Sequence, residues 1–273
     1  MQLERKRKQF EERGVRVAAI SYDSVEVLEA FAARTGIGFP LLSDPDSSII
    51  RAFGVLNEEV PEDHPFFGIP HPVEFLLGPD GVVKEKFHEE SYRDRFTAGR
   101  VLVRQLGSDA GAARATSRTA HLKVTSWASD AVIRGGNRFA LVVDVALNPK
   151  MHVYSPEVTG YIPIEWRMDD ADGLTHFDVQ FPESRILHLP AIDESVPVYE
   201  GEFRLVRDVM IGQARDLKGL LADGALTIRG SLRYQACDDR MCYLPSTVPL
   251  EWTVEFEQHD RTRVPAALRK GAD

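Results

Sequence analysis

Cysteine is nearly absent: Cys237 and Cys242 are the only two in a chain of 273 residues, and residues 1–236 contain none. Those residues therefore hold no disulfide framework, no thiolate nucleophile and no cysteine-based metal site. Long apolar runs are missing too. No stretch reaches the roughly 18 residues needed for a membrane-spanning helix. Positive charge is in deficit, with 33 Lys and Arg against 42 Asp and Glu, a net charge of −9. A phosphate backbone wants a basic face, so a nucleic-acid partner is excluded on composition. The opening stretch MQLERKRKQFEERG has no apolar h-region and reads as a charged helix, not a signal peptide. Taken alone, that leaves the chain in the cytoplasm; the cysteine pair pulls the other way.

What is present is ordinary for a globular protein, 43% hydrophobic and 27% charged, and the length implies about two domains. Residues 1–106 alternate helix and strand. The charged helix stops at Gly14, and VRVAAISYD is a short apolar run suited to a buried parallel strand. Asp23 or Ser24 can cap the helix SVEVLEAFAARTG, whose Val27, Leu28, Phe31 and Ala32 share a face and which ends at Gly36. FPLLSDPDSSIIRAFGV adds a strand, a turn and a helix. HPVEFLLGPDGVVKEKFHE reads as a hairpin, and SYRDRFTAGRVLVRQLG as a closing helix. His64, His71 and His88 fall in its solvated loops or at strand ends.

Residues 107–119, GSDAGAARATSRT, are small and polar without periodicity and are expected to form a linker. From residue 120 to 258 the period becomes two. One face carries Phe139, Leu141, Val143, Val145 and Leu147; another carries Ile162, Ile164, Trp166 and Met168. Phe203, Leu205, Val209 and Ile211 form a third series, interrupted by Arg207. Leu226, Ile228, Leu232, Tyr234 and Ala236 form a fourth, and Val248, Leu250, Trp252, Val254 and Phe256 a fifth. Such strands predict an all-β, immunoglobulin-like sandwich. Trp166 and Trp252 are in phase with its core. Residues 259–273 are expected to be a frayed tail.

The two cysteines lie in YQACDDRMCYLP, at the junction of the last two predicted strands. Three uses remain open. A structural staple closing so small a ring contributes only about 2 kcal/mol, and a sandwich of this size can stand without it. Closed zinc sites want four ligands, and no histidine lies within ten residues, although His152, His176 or His188 could approach in space. A redox pair fits better, because an exposed bridge at a bend is open to a foreign thiolate. Arg240 favours a thiolate there, while Asp238 and Asp239 oppose it. Tyr234 and Tyr243 flank the pair.

Two resemblances sharpen these readings. GVRVAAISYDS, FPLLSDPD, AFGV and FLLGPDGVV resemble the latter part of a thioredoxin-like redoxin domain of the AhpC/TSA type. The resemblance places the family's cis-proline at Pro72, ahead of Pro70. It implies a reactive cysteine at the start of the helix that here opens the chain, after a first strand that is absent, so either an internal methionine of a longer protein at Met1 or a degenerate redoxin scaffold is expected. YQACDDRMCYLPSTVPL, with PKMHVYSP and VPVYEGEF, resembles the N-terminal domain of the membrane reductase DsbD, the disulfide bond corrector type. That family implies an immunoglobulin-like fold and a periplasmic thiol–disulfide exchange activity. Its partners are thioredoxin-fold proteins and a membrane-embedded dithiol reductase. By position, Cys242 matches the cysteine that joins partners and Cys237 its resolving cysteine, with Tyr154 and His152 beside them; His152 departs from the family's aromatic. LPAIDESVPVY stands where the family carries a shielding cap but is short and lacks an aromatic at the capping position.

The expectation is thus a two-part protein relaying electrons through Cys237 and Cys242. No flavin, nicotinamide or haem signature accompanies them, so no cofactor is expected. The rivals are a non-catalytic binding module with a structural disulfide and a fragment of a peroxiredoxin-like antioxidant enzyme.

Overall fold

The computed structural model describes residues 2–88, 94–189, 193–260 and 262. The chain divides into two compact units, Met1–Leu102 with His259–Asp273, and Val103–Gln258. The 259–273 tail expectation lies, apart from residues 259, 260 and 262, outside the described residues.

The first unit runs α1 (Gln2–Glu11), β1 (Ala19–Ser21), α2 (Val25–Thr35), β2 (Leu41–Ser43), α3 (Ser48–Ala52), β3 (Val73–Leu77), β4 (Val83–His88) and β5 (Arg95–Phe96), then enters α4 (Ala98–Leu106). Gly14 and Gly36 take positive φ after α1 and α2, the left-handed stop that costs a glycine little. Leu28 is the buried centre of the α2 face; Val27, Phe31 and Ala32 are half-buried beside it. β1 and β2 pair in parallel, and β3 and β4 form the antiparallel hairpin whose turn is closed by Gly78 N donating to Val82 O at 2.8 Å. Burial pushes the Glu74 carboxyl of β3 up to about 7, against the pull of Arg95 and Arg100.

One expectation fails here. Among the described residues no peptide bond is cis, so Pro72 and Pro70 follow trans bonds. The chain there is extended: Pro70 bridges Leu56 and His71 N donates to Val55 O at 2.7 Å. Such a path leads straight into β3, and an X–Pro bond keeps its intrinsic trans preference of about 0.5–1 kcal/mol.

The second unit is almost all strand: β6 (Ala115–Arg118), β7 (Leu122–Ala128), β8 (Val132–Ile133), β9 (Asn137–Leu147), β10 (His152–Tyr154), β11 (Glu165–Met168), β12 (Leu174–Gln180), β13 (Arg185–Leu189), β14 (Glu194–Glu200), β15 (Glu202–Ile211), β16 (Leu221–Ala222), β17 (Ala225–Tyr234), β18 (Ala236–Cys237) and β19 (Ser246–Phe256). One sheet has the order β12-β15-β9-β7-β6 and the other β11-β17-β19-β8, with β16 on β17. Their inner faces meet in one core of Leu122, Phe139, Leu141, Leu205, Val209, Ile228, Leu232, Trp252 and their neighbours. Along β19 burial alternates strictly, with Val248, Leu250, Trp252, Val254 and Phe256 inside. Trp166 and Trp252 stack in that core at 5.4 Å. Arg207, in phase with the core face of β15, donates to the Phe177 and Trp166 carbonyls, which is how a half-buried guanidinium is tolerated.

The expected linker is not one. Within 107–119, β6 pairs with β7, and Gly111 lies so close to Trp127 that a Cβ there would meet the indole at 2.4 Å. A third, smaller sheet, β13-β14-β10-β18, carries Cys237 on β18, and Cys242 bridges to it from outside the named strands.

Candidate functional site

The site is built on β10, whose three residues sit between β14 and β18. His152 is opposite Cys237 on β18 and Val153 opposite Ala236. Beyond Cys237 the chain reverses through Asp238–Met241. Asp238 makes that turn: its Oδ1 accepts from the backbone N–H of Arg240 at 2.8 Å and of Met241 at 2.9 Å, and its Oδ2 accepts from the Tyr243 hydroxyl at 2.9 Å. These bonds hold its carboxyl below the ordinary aspartate range. An aspartate here is sequence chemistry of the Asx-turn kind.

Two backbone rungs bracket the sulfurs. Asp238 N donates to Met241 O at 3.0 Å on one side, and Tyr243 N to Ala236 O at 2.9 Å on the other. Between them Cys237 and Cys242 face each other with Cα atoms 4.0 Å apart and are joined as a disulfide. This is the close, non-hydrogen-bonded position of an antiparallel pair. The two sulfurs have unlike surroundings. Cys237 is 1% exposed, packed with Tyr154, Val196 and Val198, whereas Cys242 is exposed between Met241 and Leu244, themselves 57% and 87% exposed.

Tyr154 serves both. Its hydroxyl lies 3.5 Å from Cys242 Sγ and 3.6 Å from Cys237 Sγ. Sulfurs joined to each other carry no proton, so the hydroxyl is the donor. Burial, and secondarily Glu194, push its pKa up, keeping that proton in place. The ring stacks on Tyr161 at 4.5 Å, and Tyr161 donates to Glu194. That bond pushes the Tyr161 hydroxyl up to about 12. His152 is 4% exposed, meets Tyr154 edge to face at 5.6 Å, and its buried Nε2 has no hydrogen-bond partner.

The remaining sequence candidates are placed as follows. Tyr243 orders the bend through Asp238 and lies over His121 at 4.5 Å. Arg240 contributes its backbone N–H, and its side chain is exposed. Tyr234 is not brought to the sulfurs: it is buried in the sandwich core and its hydroxyl meets Thr119 Oγ1 at 2.8 Å. The period-two series that put Tyr234 in line with Leu232 already implied this side of the strand. In the expected cap, residues 190–192 lie outside the described residues, and Glu194–Glu200 is strand β14, pairing with β10 and β13. Tyr161 and Glu194 were not singled out by sequence; 33 residues separate the two, and no local spacing links them. Among the described residues, no group of three or more His, Cys, Asp and Glu side chains is placed to hold a metal ion. No described helix is long and apolar enough to cross a membrane.

The site is a bridged cysteine pair with one exposed sulfur at a bend of a β-sandwich, and both parts of the chain are similar to families of thiol-based redox proteins. Residues 122–251 match the family model of the thiol:disulfide interchange protein DsbD, N-terminal, and residues 1–86 match that of the AhpC/TSA family. The chain thus carries a match to the redoxin-type family in its first part and to the DsbD N-terminal family in its second. Among curated relatives, Peroxiredoxin Bcp of Xanthomonas campestris pv. campestris is 35% identical over 81 residues, 30% of this chain and 50% of that protein. Peroxiredoxin Bcp of Escherichia coli strain K12 is 37% identical over 76 residues, 28% of this chain and 48% of that one. The chain therefore spans about half the length of the curated relatives it matches. Among solved structures, the N-terminal periplasmic domain of ScsB from Proteus mirabilis aligns with a TM-score of 0.36 at 13% identity, covering 54% of this chain and 52% of that one. The reduced N-terminal domain of DsbD from Neisseria meningitidis aligns at 0.30 and 15%, covering 42% and 78%.

Proposed function

We propose that Cys237 and Cys242 exchange disulfides with partner proteins, passing two electrons per cycle. The observation that carries this is the unequal exposure of the two sulfurs: Cys242 faces solvent and Cys237 is sealed behind it. In the reduced protein Cys242, as thiolate, attacks a partner disulfide and expels one partner thiolate. Cys237 then attacks Cys242 Sγ, re-forming the internal bridge and releasing the second partner thiolate. Attack within one hairpin is fast because the resolving sulfur is held at high effective concentration. Tyr154, within hydrogen-bond reach of both sulfurs, stabilises whichever one is the thiolate. Re-reduction comes from another dithiol.

The partners this reading calls for are thioredoxin-fold redox proteins on one side and a membrane-embedded dithiol reductase on the other, in the periplasm or another extracytoplasmic space. Support comes from the family match over residues 122–251 and from the preference of stable disulfides for oxidising compartments. Residues 1–86 match a peroxidase-type family but hold no cysteine, so the peroxide chemistry of that family has no nucleophile among them.

Cys237→Ser tests the function directly. With resolution removed, Cys242 accumulates as a mixed disulfide with a thioredoxin-fold partner, seen as a reductant-sensitive adduct; Cys242→Ser gives none. Failure of Cys237→Ser to trap any such partner, together with a reduction potential below about −300 mV, marks a structural bridge instead.

A further inference from the structure

We propose that His152 is the base that removes the proton from Cys237 when Cys237 resolves the mixed disulfide. This deepens the exchange function above and rests on it. Three observations meet here. His152 stands directly opposite Cys237 across the β10–β18 pair, and opposed residues bring their Cβ atoms to about 4.5–5.5 Å. The imidazole is buried, and its Nε2 has no hydrogen-bond partner, an arrangement that destabilises the fold if it serves nothing. The same ring abuts Tyr154, whose hydroxyl touches both sulfurs.

The bridged state gives Nε2 nothing to accept, since neither sulfur carries hydrogen. Reduction supplies a donor. A sealed thiol such as Cys237 is disfavoured as a thiolate by its apolar surroundings and needs a partner to lose its proton. With its own proton on Nδ1, His152 accepts the Cys237 proton at Nε2. The Cys237 sulfur then bonds to Cys242 Sγ, the bond from Cys242 to the partner breaks, and the departing partner thiolate takes the proton from His152. The dithiol has lost two electrons and the partner disulfide has gained them. The charged groups around the ring are Glu200, opposite on β14, and Asp238 and Asp239 in the bend, all of which favour the imidazolium. Burial outweighs them and holds His152 below the usual histidine range, so it is neutral and ready to accept at pH 7.

The test mixes fully reduced protein with one equivalent of 5,5′-dithiobis(2-nitrobenzoate) and follows the release of aryl thiolate. A first phase reports capture by Cys242 and a second reports resolution by Cys237. His152→Phe and His152→Gln should leave the first phase within about twofold and slow the second about 100-fold at pH 7, the usual scale for a general base. In both variants the second phase should climb about tenfold per pH unit as thiolate forms, whereas the natural protein stays nearly flat from pH 7 to 8. A second phase unchanged in rate and pH profile in both variants overturns the assignment. So does equal slowing of both phases, which would mean that His152 holds the hairpin and not the proton. Absence of a first phase in the natural protein refutes the exchange function itself, a separate failure.

Discussion

The Tyr154 hydroxyl sits 3.5 Å from the exposed sulfur of Cys242 and is supported from behind by the stacked ring of Tyr161. A donor fixed at that distance stabilises charge on the sulfur once the bridge opens. A single hydrogen bond to a charged group contributes about 1.5–3 kcal/mol. Tyr154→Phe should therefore slow capture of a disulfide substrate by Cys242 roughly 10-fold at pH 7. The loss should shrink above the thiol pKa. Stopped-flow rates between pH 6 and 10 check this, and equal rates at all pH values would remove Tyr154 from the chemistry.

Tyr234 gives the contrast. Its hydroxyl meets Thr119 within the sandwich, away from the small sheet that carries Cys237. Tyr234→Phe should lower unfolding free energy by about 1 kcal/mol and leave exchange rates unchanged. Urea denaturation beside the same rate assay separates the two tyrosines.

Opening the bridge should matter little to the fold. The ring it closes spans five residues of separation, and the chain-entropy estimate for so small a loop is about 2 kcal/mol. Unfolding with and without reductant should thus differ by that amount or less, with the same cooperativity. A collapse of the sandwich on reduction would show that the bond is a staple.

Glu74 gives the redoxin unit a pH dependence. Its folded pKa, about 7, lies above its unfolded value near 4.5, so the folded state binds the proton more tightly. The stabilising form is the protonated one. Its contribution is complete below about pH 4.5, declines as pH rises from there to about 7, and is constant above. The slope can reach no more than about 1.4 kcal/mol per pH unit. Denaturation of the natural protein and of Glu74→Gln across pH 5–8 should show a slope in the first that the second lacks.

How far the sequence spoke depended on strand length and burial. β19 alternates cleanly because one face meets the core and the other meets water, so its register was legible residue by residue. β9 is buried on both faces, and its second set, Ala140 and Val142, packs with Val103, Trp127 and Val206, partners no period-two pattern identifies. β6 resembles a linker in sequence because all four of its residues are exposed, leaving no hydrophobic signal on an edge strand. β10 and β18 have three and two residues, too few for any periodicity, so the pairing of His152 with Cys237 follows from topology alone. The bend itself was legible, since Asp after Cys237 and two flanking strands dictate a tight reversal. The Tyr161–Glu194 support was not, because it joins separate loops and strands of the small sheet.

The rungs on either side of the sulfurs have a consequence for turnover. Tyr243 is tied to Ala236, and Asp238 to Met241, by main-chain hydrogen bonds that involve no sulfur atom. Under the proposed exchange, these rungs give the hairpin a hold that does not depend on the linkage being opened and closed. Each proposed cycle would then begin with the two sulfurs facing one another, the wear falling on the bond and not on the scaffold.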